Sequence, residues 1–369
     1  MPQHKPIKVI IAGGGTGGHV FPAIAIANAL KEKVLDAMIL FVGAKGKLEM
    51  EKVPAAGYHI IGLNIAGLQR RLTIKNLLVP FKLIDSMIRA KNIIKGYKPD
   101  LVIGVGGYAS FPIVRAAIKQ GIPTLIQEQN SYPGLANKML AKKVDKICVA
   151  YDNMENFFPK EKIYLTGNPV RKEILEVHGK KEEAIEFFNL KKDKRTILIF
   201  GGSLGAKSIN ESVQHNIELL LYNDIQIIWQ TGKLFYKNAL EYVKGLEKFD
   251  VRVYEFIDRM DLAYAIADVI VSRSGALAVS EISVVQKPAI FVPSPYVAED
   301  HQTKNAMALV NLQAAIMLKD SEVREKLGPT VAELLDNDKK QHILIEKMAG
   351  VAHKNATNMI AEVALSLVK

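Results

Sequence analysis

The sequence predicts an α/β fold made of two doubly wound, mostly parallel-sheet domains, and three observations predict it. Short apolar runs alternate with helical stretches along the whole chain. The order strand, glycine-rich loop, helix opens the chain at residues 8–30 and recurs at residues 196–221. Between these halves the pattern breaks at Gly167-Asn168-Pro169-Val170-Arg171, and a polar, lysine-rich stretch runs on to Arg195. The boundary is therefore placed after residue 168. This gives a first domain of 1–168 and a second of 169–354, with a final helical stretch, 355–368, as a candidate to pack back on the first.

Taken in order, Lys8-Val9-Ile10-Ile11-Ala12 reads as a buried strand, Gly13 to Gly18 as a loop, and Val20 to Leu30 as a helix with Pro22 near its first turn. Five glycines and Thr16 between strand and helix let the backbone approach a ligand closely and aim helix N–H groups at it, which suits an anion or a polar sugar. Further strands read at 37–42, 101–105, 124–127, 146–150 and 163–165. The second half opens on the strand 196–200, the loop Gly201-Gly202-Ser203-Leu204-Gly205-Ala206 and the helix 207–221, with strands at 225–229, 251–256, 269–271, 289–292 and 314–318. Two such domains facing each other with the carboxyl ends of their strands would line a cleft with both glycine loops.

Composition narrows the function classes. The chain has 369 residues, 49% hydrophobic and 24% charged, as an ordinary soluble globular protein does. A single cysteine, Cys148, excludes an internal disulfide and a cysteine metal cluster and fits a cytoplasmic compartment. The opening Met1-Pro2-Gln3-His4-Lys5-Pro6 lacks the apolar core of a signal peptide, and the long uncharged run 9–30 is broken by glycines and Pro22, so no transmembrane segment is expected. The net charge of +11 is uneven: residues 1–168 carry 23 Lys+Arg against 11 Asp+Glu, and the remainder 26 against 27. The first half should therefore meet an anionic partner, a nucleic acid or a membrane surface.

The membrane surface is favoured by residues 68–98. Here Arg70, Arg71, Lys75, Lys82, Arg89, Lys91, Lys95 and Lys98 face only Asp85, and bulky apolar residues such as Leu72, Leu78, Phe81, Ile84 and Ile88 are interleaved with them. A helical hairpin or loop of that composition, broken by Pro80, would enter the headgroup region of an anionic bilayer; the alternative is a core-facing helix with a solvated basic face.

Several residues could carry chemistry. Gly13, Gly15 and Gly18 satisfy a dinucleotide fingerprint, but the second strand ends in Gly43-Ala44-Lys45 with no ribose-binding acid. His19 beside the glycines is a candidate base near neutral pH, or a residue that merely caps the helix. Lys207-Ser208 gives the second loop the look of a P-loop, but Ala206 replaces its last glycine and no later strand ends in a magnesium-binding aspartate. That helix start can still hold a diphosphate, with Ser203 donating a hydroxyl bond. A third loop, Gly104 to Ser110, would face the same cleft and suits a second phosphate-bearing ligand, or is a plain strand-to-helix turn. Gln127-Glu128-Gln129-Asn130 ends a strand at the cleft edge, and Glu281 lies within a helix after Ser272-Arg273-Ser274-Gly275-Ala276, placed either to accept from ribose hydroxyls or to face solvent. The lone Asp-x-Asp, Asp336-Asn337-Asp338, reads as a solvated loop, so no metal site is expected.

Together, Gly14–Pro22 (Gly-Gly-Thr-Gly-Gly-His-Val-Phe-Pro), Gly-Gly-Tyr-x-Ser-x-Pro from Gly106, Glu128-Gln129-Asn130, Gly-Asn-Pro-Val-Arg from Gly167, Gly-Gly-Ser-x-Gly-Ala from Gly201, Ser-Arg-Ser-Gly-Ala from Ser272 and Asp-His-Gln-x-x-Asn-Ala from Asp300 resemble the MurG family over nearly the whole chain. Those enzymes move N-acetylglucosamine from UDP-GlcNAc to lipid I, making lipid II for peptidoglycan, a step tied to cell shape and division. The resemblance implies a GT-B fold, no cofactor, a donor in the second domain and a lipid-linked acceptor in the first. It implies a peripheral protein on the cytoplasmic face of the inner membrane, with no nucleic acid bound and other cell-wall synthesis proteins left open as partners. It implies that Thr16, Gly17, Gly18 and Asn130 border the donor sugar, that Arg171 and Ser203 approach the donor, that the Ile257 backbone reads uracil, and that Glu281 and Gln302 take ribose and sugar hydroxyls. The implied reaction is a single displacement with inversion, with His19 the candidate base and Glu128 the runner-up. Leu204 departs from the family, where glutamine is frequent at that position, and residues 295–299 fall where the family varies. A dinucleotide oxidoreductase and a non-catalytic nucleic-acid binder are the competing classes; the first lacks its acid and the second leaves Glu281 and the second glycine loop without a role.

Overall fold

The computed structural model describes residues 6–65, 79–221, 225–246 and 250–368. It divides into two compact units, Met1–Arg171 with Asn355–Lys369, and Lys172–Lys354. Pro169, Val170 and Arg171, assigned by sequence to the second half, thus belong with the first. Val170 is buried and accepts a long hydrogen bond from Thr357 Oγ1 (3.5 Å), and the Arg171 guanidinium lies 5.8 Å from the centroid of the Phe21 ring.

The first unit runs β1 (Lys8–Ala12), α1 (Gly17–Lys33), β2 (Met38–Ala44), α2 (Glu49–Ala55), β3 (His59–Leu63), α3 (Val79–Tyr97), β4 (Leu101–Gly104), α4 (Ser110–Lys119), β5 (Thr124–Glu128), α5 (Leu135–Leu140), β6 (Lys146–Val149) and β7 (Ile163–Leu165). The strands form one parallel sheet in the order β3-β2-β1-β4-β5-β6-β7. Side chains alternate across it as a pleated strand requires. Val9 and Ile11 pack with α1 on one face, and Ile10 and Ala12 join the core under α3, α4 and α5 on the other. β3 escaped the sequence reading because it is a five-residue edge strand with alternate residues exposed and a glycine inside it, too short for a clear period.

α1 begins at Gly17, so the last two glycines of the loop are its first helical residues and Pro22 lies inside it rather than at its start. Proline has no N–H, so the Gly18 carbonyl lacks its helical partner in the first turn of α1.

The second unit runs α6 (Lys172–Leu175), α7 (Lys181–Phe188), β8 (Thr196–Phe200), α8 (Lys207–Leu220), β9 (Gln226–Gln230), α9 (Lys233–Val243), β10 (Val251–Tyr254), α10 (Met260–Ile266), β11 (Val269–Ser272), α11 (Ala276–Val285), β12 (Ala289–Phe291), α12 (His301–Val310), β13 (Ile316–Met317), α13 (Val323–Leu335) and α14 (Asp338–Ala349). Its parallel sheet has the order β10-β9-β8-β11-β12-β13. Trp229, fully buried, sits among Ile197, Ile199, Ile209 and Val213, with its indole N–H donating to Asn210 Oδ1 at 3.0 Å. The chain ends in α15 (Ala356–Leu365), whose Ile360, Ala361 and Ala364 share a core with α1 of the first unit. Among the described residues no helix is long and apolar enough to cross a membrane.

Candidate active site

Each sheet reverses its winding once, between β1 and β4 in the first unit and between β8 and β11 in the second. Ligands of doubly wound sheets bind outside the carboxyl ends of the strands at that point. The first and third glycine loops follow β1 and β4, and the second glycine loop and Arg273-Ser274-Gly275 follow β8 and β11.

In the first unit the two loops touch. A Cβ on Gly107 would overlap the Gly14 carbonyl, and one on Gly106 would lie 2.8–2.9 Å from the His19 ring and 3.7 Å from Gln129 Oε1. Both glycines also have φ near +90° and +80°, where other residues are strained. His19, half-buried, is thereby held between the loops, with Nδ1 3.4 Å from Thr16 Oγ1. Thr16 is exposed and Gly17 and Gly18 are partly so at the start of α1.

Glu128 is buried at the end of β5. Its Oε1 accepts from the Asn130 N–H (3.0 Å) and side-chain amide (3.2 Å), and its Oε2 from the Gly134 N–H (3.0 Å) and the Asn137 amide (2.8 Å). Burial pushes its carboxyl above the usual carboxylate range, and these four donors pull against that rise. Beneath it, Gln127 donates to Asn168 Oδ1 (2.9 Å), Asn168 to the Gln129 carbonyl (2.9 Å) and Gln129 to the Val105 carbonyl (2.9 Å), a buried amide network that fixes the Asn130 turn.

Sequence reasoning missed Glu49. A carboxylate does stand at the end of β2, brought there by α2: it is 1% exposed, with Oε1 accepting from the Ala44 N–H and Oε2 from the Gly15 N–H, both at 2.8 Å. Nothing in the string Leu48-Glu49-Met50-Glu51-Lys52 distinguishes it from the exposed Glu51.

In the second unit a cavity of about 630 Å³ opens at the switch point. It is lined by the whole second glycine loop, by Lys207 and Ser208 at the start of α8, and by Arg273, Gly275, Tyr296 and Gln302. Ser203 is exposed in it, and no side chain caps the helix N-terminus, so the first N–H groups of α8 are presented to a ligand. Gln302 is oriented by accepting from the Ser294 N–H at 2.8 Å. Gln230 bridges the loop to the predicted uracil reader: its amide donates to the Gly202 carbonyl (3.1 Å) and its Oε1 accepts from the Ile257 N–H (2.9 Å). The Ile257 N–H is therefore taken by the protein, which limits the expected backbone contact to its carbonyl. Arg273 is also committed, to the carbonyls of Val292 and Pro293 (3.0 and 3.1 Å), to Asp320 (2.5 Å) and to Ser208 Oγ (2.9 Å), so it braces the cavity wall. Glu281 is not a solvated helix residue: it is 7% exposed and accepts from the hydroxyl of the fully buried Tyr264 at 3.1 Å. It sits one turn beyond Ala278, which lines the cavity.

Residues 9–149 match the glycosyltransferase family 28 N-terminal domain and residues 196–363 match its C-terminal domain. The chain belongs to glycosyltransferase family 28. A family member from Flavobacterium psychrophilum, named UDP-N-acetylglucosamine--N-acetylmuramyl-(pentapeptide) pyrophosphoryl-undecaprenol N-acetylglucosamine transferase, is 53% identical over 98% of both chains. One of the same name from Cytophaga hutchinsonii is 52% identical over all of this chain and 99% of its own. Among solved structures, Acinetobacter baumannii MurG superposes with a TM-score of 0.79 at 29% identity, covering 98% of this chain and 100% of its own. The two doubly wound units are those the alternating pattern predicted, and the GT-B fold is the one the family resemblance implied.

Proposed function

We propose that the chain transfers N-acetylglucosamine from UDP-GlcNAc to the 4-hydroxyl of undecaprenyl-diphospho-N-acetylmuramoyl-pentapeptide, with inversion, converting lipid I to lipid II in peptidoglycan synthesis. The observation that carries this reading is the second-unit cavity, in a chain half identical to transferases of that name: it joins an uncapped helix start, Ser203 and Gln302 in one place. The donor diphosphate meets the N–H groups of α8 and the Ser203 hydroxyl, the uracil meets the Ile257 carbonyl, and the ribose meets Glu281 as Tyr264 orients it. Gln302 and, from the first unit, Thr16, Gly17, Gly18, Asn130 and Arg171 take the sugar end. The acceptor oxygen attacks the anomeric carbon as the bond to UDP breaks, and the developing charge on the diphosphate is stabilised by fixed N–H dipoles.

His19 takes the acceptor proton. Glu128 does not suit that role, because each oxygen of its carboxylate already receives two N–H donors; it anchors Asn130 instead. A base must have a lone pair within reach of the proton it removes.

The acceptor is lipid-linked, and the first unit supports docking at the cytoplasmic face of the inner membrane. Arg70, Arg71, Lys75, Leu72 and Leu78 of the expected basic segment lie outside the described residues, but α3 carries its continuation. Ser86, Ala90 and Ile94 are buried on one face of α3, while Ile84 and Ile88 are exposed on the other together with Lys91 and Lys95. Exposed aliphatic residues set among cations match an anionic bilayer surface.

Incubation with labelled UDP-GlcNAc and a short-chain lipid I analogue tests the activity. Labelled disaccharide-lipid with a β-linkage is the expected product, and hydrolysis of the donor without transfer would overturn the proposal.

A further inference from the structure

The buried Glu49 has no part in the reaction as described, yet it is built into the first glycine loop from two sides. Its two oxygens take one N–H from that loop, at Gly15, and one from the end of β2, at Ala44, each at 2.8 Å. Space is kept for it by one glycine in the loop and one on β2: a Cβ on Gly14 would overlap the Glu49 carboxyl carbon, and a Cβ on Gly43 would overlap its Cγ. A carboxylate held by backbone N–H groups in a 1% exposed site makes short, charge-assisted bonds whose loss leaves buried donors unpaired. Two consequences follow for the loop. The Gly15 N–H, which in a phosphate-binding loop would face the ligand, is already occupied by an internal anion, so this loop is set for neutral hydroxyls rather than a phosphate. The loop is also pinned to β2 immediately before Thr16 and the first turn of α1, which carries His19.

We propose that Glu49 is a positioning residue for glycosyl transfer, fixing the loop that sets Thr16 and His19 against the transferred sugar. The inference rests on the reading of His19 as base. Small displacements of a positioned proton acceptor cost rate without costing affinity at a distant subsite. UDP, which lacks the sugar, binds in the second unit and serves as the control.

The test compares wild type with Glu49→Gln, Glu49→Ala, Gly43→Ala and the double variant Gly43→Ala/Glu49→Ala, reading kcat with the lipid I analogue, UDP affinity by calorimetry, and the thermal midpoint. Glu49→Ala should lower kcat by roughly 10- to 100-fold with UDP Kd within about twofold of wild type, and Glu49→Gln, which keeps shape and one acceptor, by less. Gly43→Ala retains the carboxylate but displaces it, so it should lower kcat too. Removing Glu49 removes the collision, so the double variant should be no slower than Glu49→Ala, and thermal midpoints well above the assay temperature in all four variants separate lost positioning from lost folded protein. If Glu49→Ala does not fold, Glu49→Gln and Gly43→Ala carry the test. Folded variants with kcat within about twofold of wild type, or variants that lose UDP affinity in step with kcat, would overturn the inference. Failure of the functional reading would appear separately, as a wild-type protein that does not transfer the sugar.

Discussion

His19 and Glu281 show how one residue's role depends on what holds it. The His19 ring is fixed by Gly106 on one side and Thr16 on the other, so its removal should cost the proton transfer and little of the binding. His19→Ala is expected to lower kcat by roughly 10²–10⁴ with donor KM little changed, the range for a positioned base. A kcat near normal would move the role to solvent. Glu281 was visible in the sequence only as a carboxylate inside a helix. Its burial and its Tyr264 partner were not visible, because Tyr264 lies on a different helix, 17 residues earlier. Glu281→Ala should raise donor KM by about 10- to 100-fold, corresponding to one lost charge-assisted bond, while acceptor KM stays level. Tyr264→Phe, which leaves the carboxylate but removes this one hydrogen bond to it, should give a smaller rise in the same constant. Donor KM unchanged in Glu281→Ala would take that residue out of the site.

At the scale of elements, helices and strands with a strong period were legible and those defined by their neighbours were not. β1 and β8 are apolar after their first residues, Lys8 and Thr196, because both faces are covered, and each is followed by glycines; the sequence reading of both agrees with the structure. β13 shrinks to two residues at the sheet edge, where a longer strand was expected: only Ile316 and Met317 pair with β12. The N-terminal end of α10 is held by electrostatics that no periodicity reveals. Asp261 accepts from Arg259 (2.9 Å) and from Lys180 at the start of α7 (2.9 Å), and these cations hold its carboxyl well below the usual range. A depressed folded-state pKa stabilises the fold above the unfolded value of about 3.9, and that stability is lost as pH falls through the folded value. Asp261→Asn should therefore lower the thermal midpoint at pH 7 by several degrees, with the gap to wild type narrowing progressively below about pH 4. A gap independent of pH would mean that the ion pairs are not its source. α3 makes the membrane prediction concrete. Wild type should sediment with phosphatidylglycerol or cardiolipin vesicles at low salt and be released as salt rises, since each basic residue near an anionic surface contributes about 1 kcal/mol. Ile84→Ser/Ile88→Ser/Lys91→Gln/Lys95→Gln should bind vesicles more weakly yet keep its activity on a short-chain acceptor, and undiminished vesicle binding would count against the docking face.

Over the whole molecule, the two α/β units were legible because the repeated strand, glycine loop and helix pattern survives in every short window. The return of the chain from the second unit to the first was read only as a candidate, and the physical reason for it lies in α1. That helix is apolar nearly all round, with Val20, Ala23, Ile26, Ala27, Ala29 and Leu30 buried, so a sheet covering one side would leave it half exposed. α15 supplies the second cover: Ile360, Ala361 and Ala364 are fully buried in the α1 core, and Glu362 pairs with Lys33 at 2.8 Å. The ion pair is exposed and adds little; the apolar contact carries the attachment. Ile360→Ala should therefore destabilise the first unit by about 2–5 kcal/mol, the cost of deleting a buried aliphatic side chain. Deletion of Asn355–Lys369, which strips one face of α1, should unfold the first unit while the core around Trp229 in the second remains intact. Fluorescence of the single tryptophan reports the second unit alone, and UDP titration reports its cavity. The expected outcome is an early unfolding step silent to Trp229 fluorescence and to UDP affinity but abolishing transfer. A single transition in which Trp229 and UDP binding fail together would show that the last helix stabilises both units, not the first alone.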